Sequence, residues 1–391
     1  MPATSPTFGA EWSILLAACS EIPQQEKTQR IRRLLSQPIR WELLLDLSDR
    51  HGTHPLLYQA LVATEAVGAG SVPSQHIPAI ERRYQTNLHK ALLLSRELIR
   101  IVDHLSSLNL EVMPYKGLAL AELLYRDIAL RQTGDIDLLI RPQDFSLVRN
   151  AVRELGYSPH TTLSDAEERA YLKSGYECAF DCAAGPNLLE VQWAFQPRFY
   201  AVDFDMAGLF QRAVTLKVAG RPMKTPSPED LLLVLSAHAA KHVWGRLVWL
   251  CDIARLMTLP TLDWSRIGSQ ASDLGIVRIL RVTILLANRL LNAPIMPTAQ
   301  ASMPEDSGAS ALADEIQTYI ESNTAFNVES LAYFRLMMRL RERSADRRRF
   351  LRRLVFTPGP GEWQAVHLPA PLFPLYRLVR LSRLAARLMR S

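Results

Sequence analysis

Asp135 and Asp137 are two acidic residues separated by one position, within the sequence GDIDLLI at residues 134–140. In a β-strand, residues two apart point to the same face of the sheet. Neighbouring carboxylates repel each other, and a divalent cation between them removes that repulsion. Oxygen ligands from Asp, completed by water and phosphate, are typical of a Mg²⁺ site that handles nucleotides. The alternative is an edge strand with two hydrated acids, because polar and apolar residues often alternate in half-buried strands.

A later predicted strand, residues 188–195, supplies a third carboxylate. Glu190 and Gln192 share one face of that strand, and the apolar residues between and beside them share the other. Glu190 therefore lies where a third metal ligand could stand. Glu177 and Asp181, on the preceding predicted strand, are the alternatives, since either could reach the same metal from the adjacent strand.

Lys116 and Gly117 form a predicted turn between a short strand and a helix. The free N–H groups at the start of a helix can hold phosphate oxygens, Gly117 permits close backbone approach, and Lys116 adds a positive charge. Arg131 could neutralise charge on a triphosphate, and Gly134 adjoins the acidic pair. We assign all four residues to nucleotide binding. The alternatives are a plain strand-to-helix turn and, for Arg131, a surface loop charge.

His238, Lys241 and His242 share one face of a predicted helix, at positions i, i+3 and i+4. Two histidines four apart can bind a metal, but no third ligand of matching spacing is evident. We therefore assign the three side chains to a polar wall of the nucleotide or acceptor pocket, with partly buried, internally paired side chains as the alternative. Trp244 and Trp249 are expected to pack in the core.

The elements that position these residues follow from the apolar spacing. Helical periodicity runs through residues 10–110. Short strands are predicted at 111–115, 135–140, 176–182 and 188–195, with helices at 118–125 and 144–155. Ser227, followed by Pro and two acids, is a strong helix start, and packed helices are predicted from there to about 292. Residues 294–308 resemble a linker, and the remainder is helical apart from Pro-rich breaks.

Length and composition limit the class of protein. A chain of 391 residues is long for one core, and 48% hydrophobic with 21% charged residues is typical of a globular protein. No apolar run is long enough to span a membrane, and no secretory signal is visible at the N-terminus. Four scattered cysteines suit a reducing compartment. We therefore predict a cytoplasmic protein without a membrane span.

The positive charge is concentrated near the C-terminus. From Arg335 onward there are fourteen Arg, no Lys and three acidic residues. Five of these arginines recur every three or four residues along a predicted terminal helix: Arg377, Arg380, Arg383, Arg387 and Arg390. Such a stripe can bind an anionic partner, whether nucleic acid, an acidic peptide or a membrane surface. We favour the alternative, a hydrated face beside an apolar one made of Leu378, Leu381, Leu384 and Leu388.

These residues together resemble the polymerase-β-like nucleotidyltransferase superfamily. The resemblance is closer to a bacterial family of largely uncharacterised nucleotidyltransferases and covers about residues 90–290. The matching segments are Tyr115-Lys116-Gly117, Tyr125, Arg131, 135–140, 189–193 and the helix 238–253. There are two departures. The superfamily usually has Gly-Ser in the phosphate turn, and its third carboxylate is often an Asp followed two residues later by His, whereas this chain has Glu190 and Gln192.

The resemblance implies an α+β fold, with a small mixed-sheet nucleotidyltransferase core between N-terminal and C-terminal helical regions. We divide the chain accordingly into four parts. They are an N-terminal helical region (1–109), the α/β core (110–226), a helical domain that closes the active site (227–293) and an Arg-rich helical C-terminal region (294–391).

The implied function is Mg²⁺-dependent transfer of a nucleoside monophosphate from an NTP to a hydroxyl, amine or phosphate. Asp135, Asp137 and Glu190 would be the catalytic carboxylates and the ligands of two metal ions. The acceptor would be a small molecule, a peptide or other natural product, or an RNA. Two other hypotheses stay open. One is a non-catalytic NTP-binding regulatory protein of the same fold, and the other is a nucleic-acid-binding protein that uses its C-terminal arginines.

Overall fold

The computed structural model describes residues 9–65, 71–161, 163–183, 185–303, 305–322, 326–328, 330–358 and 360–390. These residues form an α+β protein in which helices enclose a five-stranded mixed sheet and a two-stranded hairpin. The predicted fold class is confirmed.

Five helices precede the first strand in the described part of the chain, and they confirm the helical prediction for this region. They are α1 (Ala10–Cys19), α2 (Gln24–Leu35), α3 (Trp41–His51), α4 (His54–Ala63) and α5 (Ile77–Ser107). The long helix α5 contacts α4 near its N-terminal end. Further along, it buries an apolar stripe that includes Leu94, Leu98 and Leu105 against the sheet. Helix α5 therefore joins the N-terminal helices to the sheet.

The sheet confirms the four predicted strands to within a few residues and adds a very short fifth. Its strands are β1 (Val112–Pro114), β2 (Ile136–Ile140), β3 (Ser158–Pro159), β4 (Glu177–Cys182) and β5 (Gly185–Gln192), in the order β1-β2-β5-β4-β3. Strands β2 and β5 are parallel, and the other pairs are antiparallel. This register places Asp137 directly beside Glu190 and Glu177 directly beside Gln192.

The segments between and after these strands include a hairpin that the sequence did not predict. They are α6 (Gly117–Leu120), which continues as a π turn (Ala121–Tyr125), α7 (Phe145–Glu154), α8 (Asp165–Tyr171), α9 (Met206–Gln211), β6 (Val214–Val218) and β7 (Arg221–Thr225). Strand β7 contacts β1, and Oγ1 of Thr225 donates to the carbonyl of Pro114 at 2.9 Å.

The C-terminal half is helical. Its helices are α10 (Pro228–Lys241), α11 (Leu247–Met257), α12 (Trp264–Leu274), α13 (Val277–Leu291), α14 (Pro297–Ala301), α15 (Ser307–Glu321), α16 (Leu331–Arg339), α17 (Ser344–Phe356), α18 (Pro360–Ala365) and α19 (Tyr376–Arg390). Helix α10 begins as predicted, because the Ser227 side chain accepts from the Asp230 N–H. The predicted linker contains the short helix α14. No helix of the described residues is long and apolar enough to cross a membrane.

The predicted continuous helix over residues 238–253 is wrong, because α10 and α11 are separate helices. Val243 and Trp244, in the turn between them, have left-handed φ values of 51° and 48°. The Trp244 side chain is fully buried, and its Nε1 donates to Oγ1 of Thr283 at 3.0 Å. Burial of this indole holds the turn, whereas helical periodicity on both sides concealed it in the sequence.

The predicted faces of the terminal helix α19 are wrong at Arg380, Leu378 and Leu381, whereas Arg377 is exposed as predicted. Arg380 is 6% exposed, while Leu378 and Leu381 are 59% and 37% exposed. The guanidinium of Arg380 pairs with Glu362 at 3.2 Å and donates to the Leu354 carbonyl at 2.9 Å. A buried acid on α18, Glu362, therefore draws Arg380 inward and also pairs with Arg383. The side chains of Arg387, Leu388 and Arg390 lie outside the described residues.

Two apolar cores hold the molecule together. The smaller one packs α5 and α7 on one face of the sheet. The larger one contains residues from all four predicted segments, for example Trp12, Leu139, Leu250 and Phe350. The division into four domains stays a prediction.

Candidate active site

One cavity of about 900 Å³ brings together all ten site residues predicted from the sequence. These are Lys116, Gly117, Arg131, Gly134, Asp135, Asp137, Glu190, His238, Lys241 and His242. The cavity lies at the end of the parallel pair β2 and β5, between α5 on one side and α10 and α11 on the other. Its volume falls within the usual range for ligand-binding cavities. The roles assigned to the ten residues remain predictions.

The alternation of side chains along the two parallel strands determines which face the acidic residues occupy. Asp137 and Glu190 face the cavity as direct neighbours, because Leu138 and Val191 take the opposite face and are fully buried in the smaller core. Asp135 enters the cavity just before β2 begins. Asp137 is only 7% exposed. Strand pairing thus forces carboxylates together in a partly dry site.

This crowding raises the pKa of two carboxyls. Burial and the charge of Asp137 raise the pKa of Asp135 to about 6. Burial, followed by the charges of Asp137 and Glu177, raises the pKa of Glu190 to about 8. Burial also raises the pKa of Glu177. The site therefore attracts positive charge.

The two alternatives for the third carboxylate are placed differently. Glu177 lines the cavity beside Glu190. Asp181 is absent from the described lining of the cavity, and its carboxylate lies 3.2 Å from Nδ1 of His160 near the sheet edge. Glu190 and Glu177 are thus the acids that can act with Asp135 and Asp137.

Gln192 connects the carboxylates, a role that the sequence analysis did not give it. Its Nε2 lies 3.1 Å from Oδ1 of Asp137, 3.0 Å from Oε2 of Glu190 and 3.3 Å from Oε2 of Glu177. Its Oε1 accepts from the buried Tyr115 hydroxyl, which fixes the orientation of the amide. A neutral amide at this position supplies N–H donors without adding charge.

Lys116 is the nearest cation to the acids. Its Nζ lies 3.1 Å from Oδ1 of Asp137 and 4.9 Å from the centre of the Tyr115 ring. Burial opposes the charge of this ammonium, but Asp137 and Tyr115 outweigh it and raise the pKa of Lys116 well above its ordinary value. Lys116 is therefore a permanent positive charge in the site.

Gly117 has a structural reason to be glycine. Its φ is +48°, and a Cβ would lie 3.0 Å from Cγ2 of Thr133 and 3.4 Å from the carbonyl oxygen of Asp135. The turn thus packs tightly against the loop that leads into β2. The assignment of Gly117 to phosphate binding stays a prediction beside this packing role.

Arg131 lines the cavity, but its donors already have a partner. Its Nε and Nη2 lie 3.0 Å and 2.8 Å from the carboxylate of Asp252 on α11. The Tyr125 hydroxyl donates to the same carboxylate at 2.9 Å. A triphosphate would have to compete with Asp252, so the described contacts make Arg131 a clamp between the loop before β2 and α11.

Three rings form the wall opposite the strands. The centre of the Trp249 ring lies 5.2 Å from that of His238 and 5.3 Å from that of His242. Burial and then nearby cations, Lys116 for His238 and Lys241 for His242, lower the pKa of both imidazoles, that of His242 to about 3. Both are therefore neutral near pH 7. Trp249 packs at the edge of the larger core while facing the cavity.

Lys241 lies between the rings and the acids. Its Nζ is 3.2 Å from the Tyr176 hydroxyl and 4.6 Å from the centre of that ring. Burial lowers the pKa of Lys241 to about 8, against the attraction of Glu177. This ammonium can therefore lose its proton more readily than an exposed lysine.

The donor set suits a magnesium ion. Asp135, Asp137 and Glu190 offer the hard oxygen atoms that Mg²⁺ prefers, and a cation would relieve their repulsion. Lys116 and Gln192 both contact Oδ1 of Asp137. Among the described residues, no three His, Cys, Asp or Glu side chains are gathered closely enough to hold a metal ion.

The sequence analysis did not assign several other cavity-lining side chains to the site. They include Arg82, Thr86 and Lys90 on α5 and Arg246 at the start of α11. The spacing of four residues between Arg82, Thr86 and Lys90 was the available signal, because it places them on one helix face.

The chain was matched to known proteins by sequence and by fold. The family model described as "Uncharacterised nucleotidyltransferase" matches residues 37–292, more than half of the chain. Among solved structures, an antigenic nucleotidyltransferase-like protein from Paracoccidioides brasiliensis is similar, with 18% sequence identity and a TM-score of 0.34, over 53% of this chain and 95% of that chain. No curated protein matches. The family match shows that the chain belongs to the family of uncharacterised nucleotidyltransferases.

Proposed function

We propose that this protein is a Mg²⁺-dependent enzyme that transfers a nucleoside monophosphate from an NTP to a hydroxyl, amine or phosphate. The observation that carries the proposal is the direct pairing of Asp137 with Glu190 on parallel strands, beside Asp135 and the charged Lys116, in one cavity. Family membership supports the same reaction class. A bacterial origin and a cytoplasmic location are part of the proposal.

Each group in the cavity has a proposed task. Asp135, Asp137 and Glu190 would hold Mg²⁺, which neutralises charge on the transferring phosphoryl group. Lys116 keeps a positive charge beside these acids, and Lys241 places a second on the α10 side. Gln192, held by Tyr115, keeps the carboxylates at a fixed spacing.

Calorimetry and a label-transfer assay test this function. The full chain should bind Mg²⁺ with α,β-methylene ATP, and Asp135→Asn or Asp137→Asn should weaken that binding at least tenfold. Asp181→Asn is the matched control, because its carboxylate lies outside the described cavity lining. Transfer of the label from α-labelled NTPs, with release of pyrophosphate, should be lost in Asp135→Asn and Asp137→Asn but not in Asp181→Asn. Unchanged binding and transfer in both would remove the metal assignment.

The non-catalytic alternative has one specific observation in its favour. Lys116 and Gln192 both contact Oδ1 of Asp137, so this carboxylate already has a cation and a fixed position without a metal. A protein that only senses NTP needs no more than this. Binding of the ATP analogue with no pyrophosphate release from any of the four NTPs, against a range of acceptors, would favour the regulatory role.

The nucleic-acid hypothesis receives less support. Several C-terminal arginines contact internal groups: Arg353 pairs with Asp203 at 2.6 Å, Arg383 with Glu362 at 3.3 Å, and Arg341 is 3% exposed. Binding of RNA or DNA, with an affinity that falls steeply as the salt concentration rises, would support this hypothesis.

A further inference from the structure

The half of the cavity beside α5 carries an excess of positive charge. Arg82 and Lys90 on α5 and Arg246 before α11 line the cavity here, and all three are exposed to solvent. None of them pairs with an acid among the described residues. Asp49 is the acid on this side of the described lining, and Arg83 already holds it at 2.8 Å.

The cations on α5 form a row. Arg82, Thr86 and Lys90 are spaced by four residues, so they follow one helix face over roughly 12 Å, with a hydroxyl between two positive charges. The Lys90 end meets the active site, because its Nζ lies 3.9 Å from where a Cβ of Gly134 would stand. The row therefore begins beside Asp135 and leads away from the carboxylates.

Arg246 approaches the same space from the α11 side. It lies near His242, whose pKa is lowered to about 3 by burial, Lys241, Lys116 and Arg246 in that order. His54, which also lines this half, has its pKa lowered by burial. Both imidazoles are neutral near pH 7, so the positive charge here comes from Arg82, Lys90 and Arg246.

We propose that Arg82, Thr86, Lys90 and Arg246, here named the basic wall, bind the phosphate group of a phosphorylated acceptor. This inference rests on the proposed function. The reacting triphosphate must remain beside Asp135, Asp137 and Lys116, whereas the row reaches about 12 Å beyond that point along α5. The phosphate group of the acceptor therefore has cations separate from those that hold the triphosphate. The distance between them lets the acceptor extend from the basic wall to the carboxylates.

The test uses inorganic phosphate as the probe and the full chain saturated with Mg²⁺ and α,β-methylene ATP. Phosphate should bind the saturated protein, and the triple variant Arg82→Gln/Lys90→Gln/Arg246→Gln should bind it at least about tenfold more weakly, since the loss of one charge-assisted hydrogen bond is enough for that factor. The matched control is Arg33→Gln/Arg96→Gln/Arg352→Gln, which removes the same charge from exposed positions outside the described lining. The control should change phosphate affinity less than about threefold, the scale of a weak surface effect.

Three results would overturn the basic wall. The first is that phosphate does not bind the saturated wild-type protein. The second is that phosphate binds equally well to the triple variant. Alternatively, phosphate could compete with the ATP analogue while the triple variant loses affinity for that analogue, which would assign these cations to the triphosphate.

Failure of the proposed function is distinguishable from these results. If the wild-type chain did not bind the ATP analogue at all, the nucleotidyltransferase proposal would fail. Phosphate titration into the nucleotide-free wild type and triple variant would still report on the basic wall. Because the three substituted side chains are exposed, the triple variant should keep the wild-type melting temperature and circular dichroism.

Discussion

The ammonium of Lys116 lies 3.1 Å from Oδ1 of Asp137, and both side chains are largely buried. Sequence reasoning assigned the lysine to a triphosphate and the aspartate to a metal. Their ion pair couples the two assignments, because whatever binds Asp137 must share it with Lys116. Burial and the charge of Asp137 raise the pKa of the neighbouring Asp135 carboxyl to about 6.

The two aspartates should therefore have opposite effects on stability. Asp137→Asn leaves the buried Lys116 charge without its acid and should lower the free energy of unfolding by about 3 kcal/mol or more. Asp135→Asn removes a carboxyl whose pKa is raised to about 6 by burial and Asp137, so at pH 7.5 it should leave stability unchanged or increase it. Urea unfolding at pH 7.5 without divalent cations measures both. Equal losses in the two variants would contradict this distinction.

Arg131 and Asp252 should behave as a structural pair. Their side chains are 8% and 1% exposed, so Arg131→Met should cost about 3–5 kcal/mol by leaving a buried carboxylate unpaired. The exposed Arg126, nearby in the same loop, is the matched control, and Arg126→Met should cost less than about 0.5 kcal/mol. Combining Arg131→Met with Asp252→Leu should recover part of the loss in a double-mutant cycle. Additive losses would show that the two residues are independent.

The sequence could predict the carboxylates because strand alternation is local. Once residues 135–140 and 188–195 are read as strands, the faces of Asp137 and Glu190 follow, and the structure gathers them with every other predicted site residue. The hairpin of β6 and β7 was missed although Val214, Leu216 and Val218 alternate with polar residues along β6. Strand β7, Arg-Pro-Met-Lys-Thr, carries a Pro and a single large apolar residue, and both strands are mostly exposed, so the pair does not read as two matched strands.

Contacts between residues that are distant in sequence could not be predicted. Arg131 meets Asp252 across 121 positions, and no periodicity reports such a pair. On α19, periodicity separated an arginine side from a leucine side but could not show which side packs against the rest of the protein. Glu362, 3% exposed at its side chain, decides that by pairing with Arg380.

Gly117 should tolerate alanine poorly for two separable reasons. Both Gly117 and Gly156 have positive φ, so alanine at either costs about 1–2 kcal/mol of backbone strain. At Gly156 a Cβ meets nothing within 4 Å, whereas at Gly117 it lies 3.0 Å from Cγ2 of Thr133. Gly117→Ala should therefore lose more stability than Gly156→Ala, and adding Thr133→Ser should restore part of the difference. Identical losses at the two glycines, measured by urea unfolding, would rule out the packing contribution.

Glu190 should make the metal-free protein less stable as pH rises from 6.5 to 8. Burial and the charges of Asp137 and Glu177 raise the pKa of Glu190 from 4.5 to about 8. The folded state then binds this proton more tightly than the unfolded state, so the stabilisation is complete below pH 4.5 and is lost as pH approaches 8. The histidines with lowered pKa act in the opposite direction just above pH 6.5, because they still lose protons in the unfolded state there. Lys241, whose pKa is lowered from 10.5 to about 8, also begins to add stability as pH approaches 8. The wild-type protein and Glu190→Gln share both contributions, so the difference between the two proteins reports on Glu190.

Calorimetric melting at pH 6.5 and 8.0, without divalent cations, measures this slope. The wild-type melting temperature should fall across the window relative to that of Glu190→Gln, because the amide does not ionise. Glu154→Gln is the matched control, since Glu154 has a side chain that is 66% exposed at the end of α7 and should keep the wild-type slope. Glu177 contributes in the same direction, because burial raises its pKa, so some slope should remain in Glu190→Gln. A full wild-type slope in that variant would show that Glu190 is not held among the other carboxylates, and its place as the third metal ligand would pass to Glu177.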